Sequence, residues 1–353
     1  MSRHFKKIKN IILHKGYDKK EIKRIKEDIE KNKKANVLAI YNPECIGIMN
    51  STKDLFEHNV AIGEIFSKRA ITEIAECIVK SNVSQVMFAS IALGWKELAE
   101  EIKLRNKDIK IKFSWHGSHA MLVQRNETYF LYNILELLDR KIADSVAFVK
   151  ESMAEFYKQK GYNSYFLPNT LKDLKVAENT VNIKEKGKIN IGLYSAGNRW
   201  EKNTFNQLSA ISMIENAVVD ILPVTDLVKE FANMMNINIK DESLGYLKRE
   251  ELLARMKQND VNLYVTFTEC SPVTPLESLE LGVPCITGNN HHYFRDSKLE
   301  EYLVVQAEDD INEINQKIKI ALENKEEIIK LYKSWKKDYD KYVSTCLKDF
   351  IES

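Results

Sequence analysis

The sequence predicts an α/β protein of two domains, each a doubly wound parallel sheet with connecting helices. Short apolar strands alternate with amphipathic helical stretches along the whole chain, which is the pattern of parallel sheets joined by helices. The strands are short, as expected of strands buried in a parallel sheet. A length of 353 residues is long for one hydrophobic core and sufficient for two.

The first domain is predicted over residues 35–170, after a basic helical extension over residues 1–34. Gly16 separates two amphipathic stretches in this extension, and Asp18 is expected to cap the second, whose apolar stripe is formed by isoleucines. The strands of the domain are expected at Val37–Tyr41, Val86–Ala89, Ile109–Phe113, Val146–Val149 and Tyr165–Leu167.

A charged stretch over residues 171–187 is predicted to link the domains, and the second domain is predicted over residues 188–335. A helical pattern begins at Ile311 and continues through residues 336–353. The strands of the second domain are expected at Ile189–Tyr194, Val218–Leu222, Val261–Val265, Cys285–Thr287 and Leu303–Val305.

Composition indicates an ordinary soluble, cytoplasmic protein. The chain is 44% hydrophobic and 29% charged, and no apolar run approaches the roughly 18 residues of a membrane span or has the form of a signal peptide. Its five cysteines are odd in number and form no close pairs. This argues against a disulfide framework and against a structural zinc site.

The positive charge is concentrated in residues 1–34, although the whole chain has a formal net charge of only +2. One interpretation is a solvated helix packed by its isoleucine stripe. The other is a basic face that contacts an anionic lipid or glycan carrier peripherally, at the inner face of the membrane. Nucleic acid is not expected as a partner, because the basic face lacks interleaved aromatic residues and the rest of the chain is acidic.

The segment that carries chemistry is a strand-to-helix turn with two carboxylates eight residues apart. Glu269 is expected on the loop, and Glu277 in the first turn of a helix capped by Thr274 and opened by Pro275. The start of such a helix, with its unpaired N–H groups, suits a diphosphate. A competing interpretation is that Thr274 and Glu277 form a capping box, which requires no ligand.

The Glu-x7-Glu pattern, followed by Gly282-Val283-Pro284 and an apolar strand, resembles the donor-site motif of the family 4 retaining glycosyltransferases, or glycosyl transferases group 1. These enzymes have the GT-B fold, in which two Rossmann-like domains face a central cleft. Leu167-Pro168-Asn169 resembles the end of the first domain in this family. The resemblance also implies that the terminal helix, residues 336–353, crosses back onto the first domain.

The resemblance places Glu269 against the donor sugar and gives Glu277 the ribose hydroxyls. The family's usual Gly-Phe-Gly turn is replaced here, which leaves the identity of the donor sugar open. The residues expected to line the donor in this turn are Cys270, Ser271, Pro272, Val273 and Thr274.

Several further residues match positions of the family's site. His116 follows a predicted strand and precedes Gly117, at a place from which a histidine of the family reaches the donor sugar, although a lone histidine is more often structural. Arg199 and Lys202 resemble the grip on the diphosphate, with a plain surface lysine as the alternative for Lys202. His116 and His119 lack a third partner, so no metal site is expected.

Two weaker positions complete the expected site. Gly47 is placed to let the backbone approach the donor or the acceptor. Tyr246 could stack on a uracil or guanine base, or it could fill a gap between the domains.

The resemblance therefore implies a retaining glycosyltransferase that needs no cofactor or metal. It would move a hexose from a UDP- or GDP-linked sugar to a hydroxyl in a glycan, a lipid-linked carrier or a protein. The alternatives are a non-catalytic GT-B subunit that binds a nucleotide sugar or glycan, and a sugar-nucleotide epimerase of the same fold.

Overall fold

The computed structural model describes residues 18–123, 125–172, 174–177, 182–194, 199–241, 245 and 247–353. These residues form two compact units. The first comprises Met1–Thr170 together with Val343–Ser353, and the second comprises Leu171–Tyr342.

The first unit is a six-stranded parallel sheet with connecting helices. Its strands are β1 (Val37–Tyr41), β2 (Asn59–Ala61), β3 (Gln85–Ala89), β4 (Lys110–Trp115), β5 (Ser145–Phe148) and β6 (Ser164–Phe166), in the spatial order β2-β1-β3-β4-β5-β6. Its helices are α1 (Lys19–Lys31), α2 (Ile46–Leu55), α3 (Lys68–Lys80), α4 (Trp95–Arg105), α5 (Arg125–Asp139) and α6 (Glu151–Gln159). A 3₁₀ turn, His119–Val123, lies between β4 and α5.

Helix α1 packs into the core of the first unit. The side chain of Asp18 accepts hydrogen bonds from the backbone of Lys20 and Glu21, which is the expected N-cap. The helix buries Ile22, Ile25 and Ile29, at 7%, 2% and 0% exposure. The second amphipathic stretch of the predicted extension is therefore packed by its isoleucine stripe, whereas the first lies outside the described residues.

The second unit is a five-stranded parallel sheet in the order β11-β10-β9-β7-β8. Its strands are β7 (Ile189–Tyr194), β8 (Ala217–Leu222), β9 (Val261–Tyr264), β10 (Cys285–Gly288) and β11 (Val304–Val305). Its helices are α7 (Thr204–Ser212), α8 (Asp226–Met234), α9 (Arg249–Met256), α10 (Thr274–Glu280), α11 (Lys298–Leu303), α12 (Ile311–Glu323) and α13 (Lys325–Glu352).

The last helix, α13, contributes to both units, because its residues from Val343 onward belong to the first. Phe350 is fully buried there. The Lys112 ammonium of β4 donates to the carbonyls of Ile351 at 3.1 Å and Ser353 at 3.0 Å, and so satisfies acceptors at the end of the helix.

All ten strands expected from the sequence are present, with ends that differ by at most two residues. The strand that the sequence does not reveal is β2, in which only Val60 of three residues is buried. One buried position gives no alternation to recognise. Among the described residues, no helix is both long and apolar enough to cross a membrane.

Candidate functional site

The loops after β7 and β9 bring Lys202 and Glu269 together in the second unit. Lys202 ends a 3₁₀ turn, Trp200–Lys202, and its ammonium forms an ion pair with the Glu269 carboxylate. The Lys202 side chain is 7% exposed and that of Glu269 is 17% exposed. Lys202 is therefore not a plain surface lysine, since its charge is compensated inside the protein.

Gln207 of α7 fixes this arrangement. Its side-chain amide donates to the carbonyl of Lys202 at 2.9 Å and accepts from the backbone N–H of Val265 at 2.9 Å. The backbone N–H of Phe267 also donates to the carbonyl of Glu201 at 2.9 Å. The loop that carries the lysine and the loop that carries the carboxylate are thus joined by three short bonds.

Tyr264, the last residue of β9, contacts both members of the ion pair. Its hydroxyl donates to the Glu269 carboxylate at 2.9 Å and accepts from the Lys202 ammonium at 3.1 Å. Burial, together with the adjacent carboxylate, raises the pKa of Tyr264 well above its ordinary value. The phenol therefore keeps its proton at any physiological pH.

Arg199 is the more accessible cation of this loop. Its side chain is 43% exposed, and its guanidinium lies 3.3 Å from the Glu201 carboxylate. Beside it is a pocket of about 250 Å³, at whose edge the rings of Trp200 and Phe267 stack with centroids 6.2 Å apart. The rest of the expected phosphate loop, residues 195–198, lies outside the described residues.

Glu277 is buried in α10 and pairs with a residue from another helix. The Arg249 guanidinium, at the start of α9, donates to the Glu277 carboxylate at 2.7 Å, and the glutamate side chain is 5% exposed. The Nη2 atom of Arg249 is itself buried and makes no hydrogen bond to the residues that the structure describes. The sequence signal for Arg249 is its place three residues after Tyr246, the candidate for stacking on the base.

The capping box of the competing interpretation is not formed. Helix α10 begins at Thr274, because the carbonyl of Val273 accepts the first helical hydrogen bond, from the N–H of Glu277 at 2.8 Å. Val273 is therefore the N-cap, and it makes no side-chain cap bond. Pro275 is accordingly the second helical residue. The carboxylate of Glu277 pairs with Arg249 of another helix. A capping box therefore does not explain the presence of this glutamate.

Replacing Thr274 by Ala is therefore expected to change the free energy of unfolding by less than about 0.5 kcal/mol. Asp310→Ala is the matched control, because the side chain of Asp310 caps α12 by accepting from Asn312 and Glu313. Its loss should cost about 1 kcal/mol. Urea denaturation measures both variants, and equal losses would restore the capping-box interpretation.

The turn that replaces Gly-Phe-Gly is largely buried. Cys270, Ser271 and Pro272 are buried, whereas Val273 and Thr274 are partly exposed. The hydroxyl of Ser271 lies 2.8 Å from that of Tyr293, which follows β10. The turn is thus held from the neighbouring strand as well as by its own backbone.

His116 and Gly47 belong to the first unit. His116 directly follows β4, and its Nε2 lies 3.2 Å from the Ser114 hydroxyl. Gly117 is explained by packing, because an added Cβ would lie 2.4 Å from the Trp115 ring. Gly47 is the exposed second residue of α2, with open space where a Cβ would stand.

Burial lowers the pKa of His116 to about 4. An unfolded histidine titrates near 6.5, so the unfolded chain binds the proton more readily between these values. The stability that His116 contributes is therefore complete above about pH 6.5 and is lost as the pH falls toward 4.

We expect His116→Asn to reduce the loss of stability between pH 7 and pH 5 by about 2 kcal/mol. Urea unfolding at the two pH values measures this difference. An unchanged pH dependence in the His116 variant would show that the ring is not desolvated.

Tyr246 lies outside the described residues. Among the residues that the structure describes, no group of three or more His, Cys, Asp or Glu side chains could hold a metal ion.

Comparison with known proteins identifies the second unit more closely than the first. Residues 177–341 match the family model described as glycosyl transferases group 1. No curated protein matches the chain.

Solved structures resemble the chain in fold. Sucrose-phosphate synthase from Thermosynechococcus elongatus has a TM-score of 0.59 and 13% identity over 90% of this chain and 96% of its own. The trehalose-6-phosphate protein from E. coli, bound with UDP-2-fluoro glucose, has a TM-score of 0.57 and 10% identity over 90% of this chain and 98% of its own. TarM from S. aureus, in complex with fondaparinux, α-GlcNAc-glycerol and UDP, has a TM-score of 0.54 and 11% identity. The alignment covers 76% of this chain but only 55% of that TarM chain.

Proposed function

We propose that the chain is a glycosyltransferase, since its residues 177–341 match the family model of the glycosyl transferases group 1, and that it moves a hexose from a UDP- or GDP-linked sugar to a hydroxyl acceptor. The acceptor belongs to a glycan, a lipid-linked carrier or a protein. Transfer proceeds with retention at the anomeric carbon.

The observation that carries the proposal is the pairing of both carboxylates of the Glu-x7-Glu motif with cations from other elements. Glu269 pairs with Lys202 from the loop after β7, and Glu277 pairs with Arg249 from α9. Buried charges are expensive unless they are paired. A buried ion pair is weak evidence for stabilisation. Two such pairs at one strand-to-helix turn are therefore better explained as parts of a preorganised polar site.

In this site the accessible guanidinium of Arg199 and the ammonium of Lys202 bind the donor diphosphate. Glu277 accepts hydrogen bonds from the ribose hydroxyls, and Glu269 contacts the hexose. The cations stabilise the charge that grows on the diphosphate as the glycosidic bond breaks. The leaving phosphate then accepts the proton of the attacking hydroxyl on the same face of the sugar.

The test is a thermal-shift panel of UDP-, GDP-, ADP- and CMP-sugars. A donor at 100 times its Kd should add about 2.7 kcal/mol to the free energy of unfolding. The sugar that binds is then incubated with and without acceptors, and the release of nucleotide diphosphate is measured. NMR of the product reports the anomeric configuration.

Binding with release of nucleotide diphosphate supports the transferase. Tight binding without turnover over a broad acceptor panel would instead identify a non-catalytic GT-B subunit. The absence of binding by every nucleotide sugar in the panel would contradict both.

Contact with an anionic membrane is a second proposal, and it rests on residues 1–17. In α1 several charges are already neutralised, since Lys26 pairs with Glu73 and Lys31 with Asp28. We expect wild-type protein to sediment with phosphatidylserine vesicles and to be released by salt. Deleting residues 1–17 should abolish sedimentation while α1 is retained. Equal binding to neutral vesicles would contradict the proposal.

A further inference from the structure

The hydroxyl of Tyr264 bridges the two groups that the proposed function assigns to the donor's diphosphate and its hexose. It donates to Glu269 at 2.9 Å and accepts from Lys202 at 3.1 Å. Tyr264 stands at the carboxyl end of β9, between the apolar residues Leu263 and Val265. A leucine or valine would serve the core equally well at that place, so the hydroxyl requires an explanation of its own.

The burial of the three side chains restricts what Lys202 can do. Its ammonium is almost removed from water, with Glu269 as its counter-charge. Removing the partner of such a buried charge is costly. Lys202 can therefore reach a diphosphate only by exchanging one anion for another.

Such an exchange removes the Lys202 contact from Glu269 at the time when the position of the carboxylate matters most. The carboxylate must then be held by another donor, in a fixed direction, while positive charge develops on the sugar. Tyr264 is already in contact with it. Because burial keeps the phenol protonated, its O–H remains a donor after Lys202 has moved.

We propose that Tyr264 is a positioning residue, which holds Lys202 and Glu269 as a pair before the donor binds and keeps the Glu269 carboxylate in place once Lys202 has turned to the diphosphate. The inference rests on the proposed function. No bond is made or broken by Tyr264, and the proton of its hydroxyl stays on oxygen throughout.

The experiment compares Tyr264→Phe with Tyr194→Phe. Tyr194 is the matched control, because it also ends a strand of the same sheet and is buried. Its hydroxyl donates to the Asp220 carboxylate at 2.6 Å and accepts from Asn259 at 2.7 Å. Each variant thus loses one hydroxyl that is hydrogen-bonded to a carboxylate. Only in Tyr264→Phe does the lost hydroxyl contact Lys202 and Glu269.

For Tyr264→Phe we expect kcat for donor turnover to fall about 10- to 100-fold, as for the loss of a hydrogen bond to a charged group. The Kd of the donor, measured by calorimetry with the nucleotide sugar selected in the panel, should stay within about 3-fold. Tyr194→Phe should melt about 5 °C lower than the wild type and keep its kcat.

If the wild-type protein turns over the donor and Tyr264→Phe has the same kcat, the inference about Tyr264 is wrong and the proposed function stands. Equal losses of kcat in both variants would also overturn the inference, because the effect would then follow stability. A wild-type protein that binds no nucleotide sugar, or binds one without turnover, overturns the proposed transferase function and this inference with it.

Discussion

Glu269→Gln is expected to lower turnover at least about 100-fold, the loss typical when an electrostatic contact to a transition state is removed. The variant keeps the size of the side chain and most of its hydrogen bonding. It removes a negative charge that the proposed function places beside the sugar, where positive charge develops as the glycosidic bond breaks. The release of nucleotide diphosphate at saturating donor measures the effect.

The ion pair with Lys202 adds a second expectation for this variant. Without Glu269, Lys202 loses its buried counter-charge, so the free protein should be less stable by about 3 kcal/mol. The donor diphosphate no longer competes with the carboxylate, and donor affinity should therefore be equal to the wild type or higher. Turnover should therefore fall while the affinity for the donor stays the same or rises.

Asp340→Asn is a suitable control for Glu269→Gln. Asp340 is the partner of Lys336, a lysine of the same unit whose side chain is 11% exposed. Its replacement should lower stability and leave kcat unchanged. A Glu269→Gln variant with wild-type turnover would remove Glu269 from the reaction and would favour the non-catalytic alternative.

Glu277→Gln is expected to weaken donor binding by about 1 to 3 kcal/mol. A carboxylate that accepts bonds from ribose hydroxyls makes charge-assisted contacts, which an amide does not replace. The amide oxygen can still accept from Arg249, so folding should survive better than in an alanine variant. Calorimetric titration with the donor gives the affinity, and denaturation gives the stability.

Glu251→Gln is the control for this measurement. Glu251 lies in the first turn of α9, and its carboxylate accepts from the backbone N–H of Lys248. This capping role predicts a change in stability and none in donor affinity. If Glu277→Gln binds the donor as the wild type does and only unfolds earlier, the pair with Arg249 is structural and the ribose assignment is wrong.

The sequence by itself determined the two parallel sheets. Apart from β2, their strands are buried, so each appears as a short, mostly apolar run between helical stretches, and this local pattern needs no knowledge of the partner strand. The sequence also determined which turn carries the paired carboxylates, because the spacing from Glu269 to Glu277 and the stop at Gly282 are local features.

Only the tertiary structure decided the partners of these carboxylates. Lys202 and Glu269 are 67 residues apart, and Arg249 and Glu277 are 28 residues apart. The order β9-β7 brings the loops of Lys202 and Glu269 to one edge of the sheet. The sequence does not distinguish Tyr264 from the other residues of its strand, because only the fold shows which groups its hydroxyl contacts. Which side chains pair across strands depends on the order and register of the strands. The periodicity of a single segment predicts neither of these.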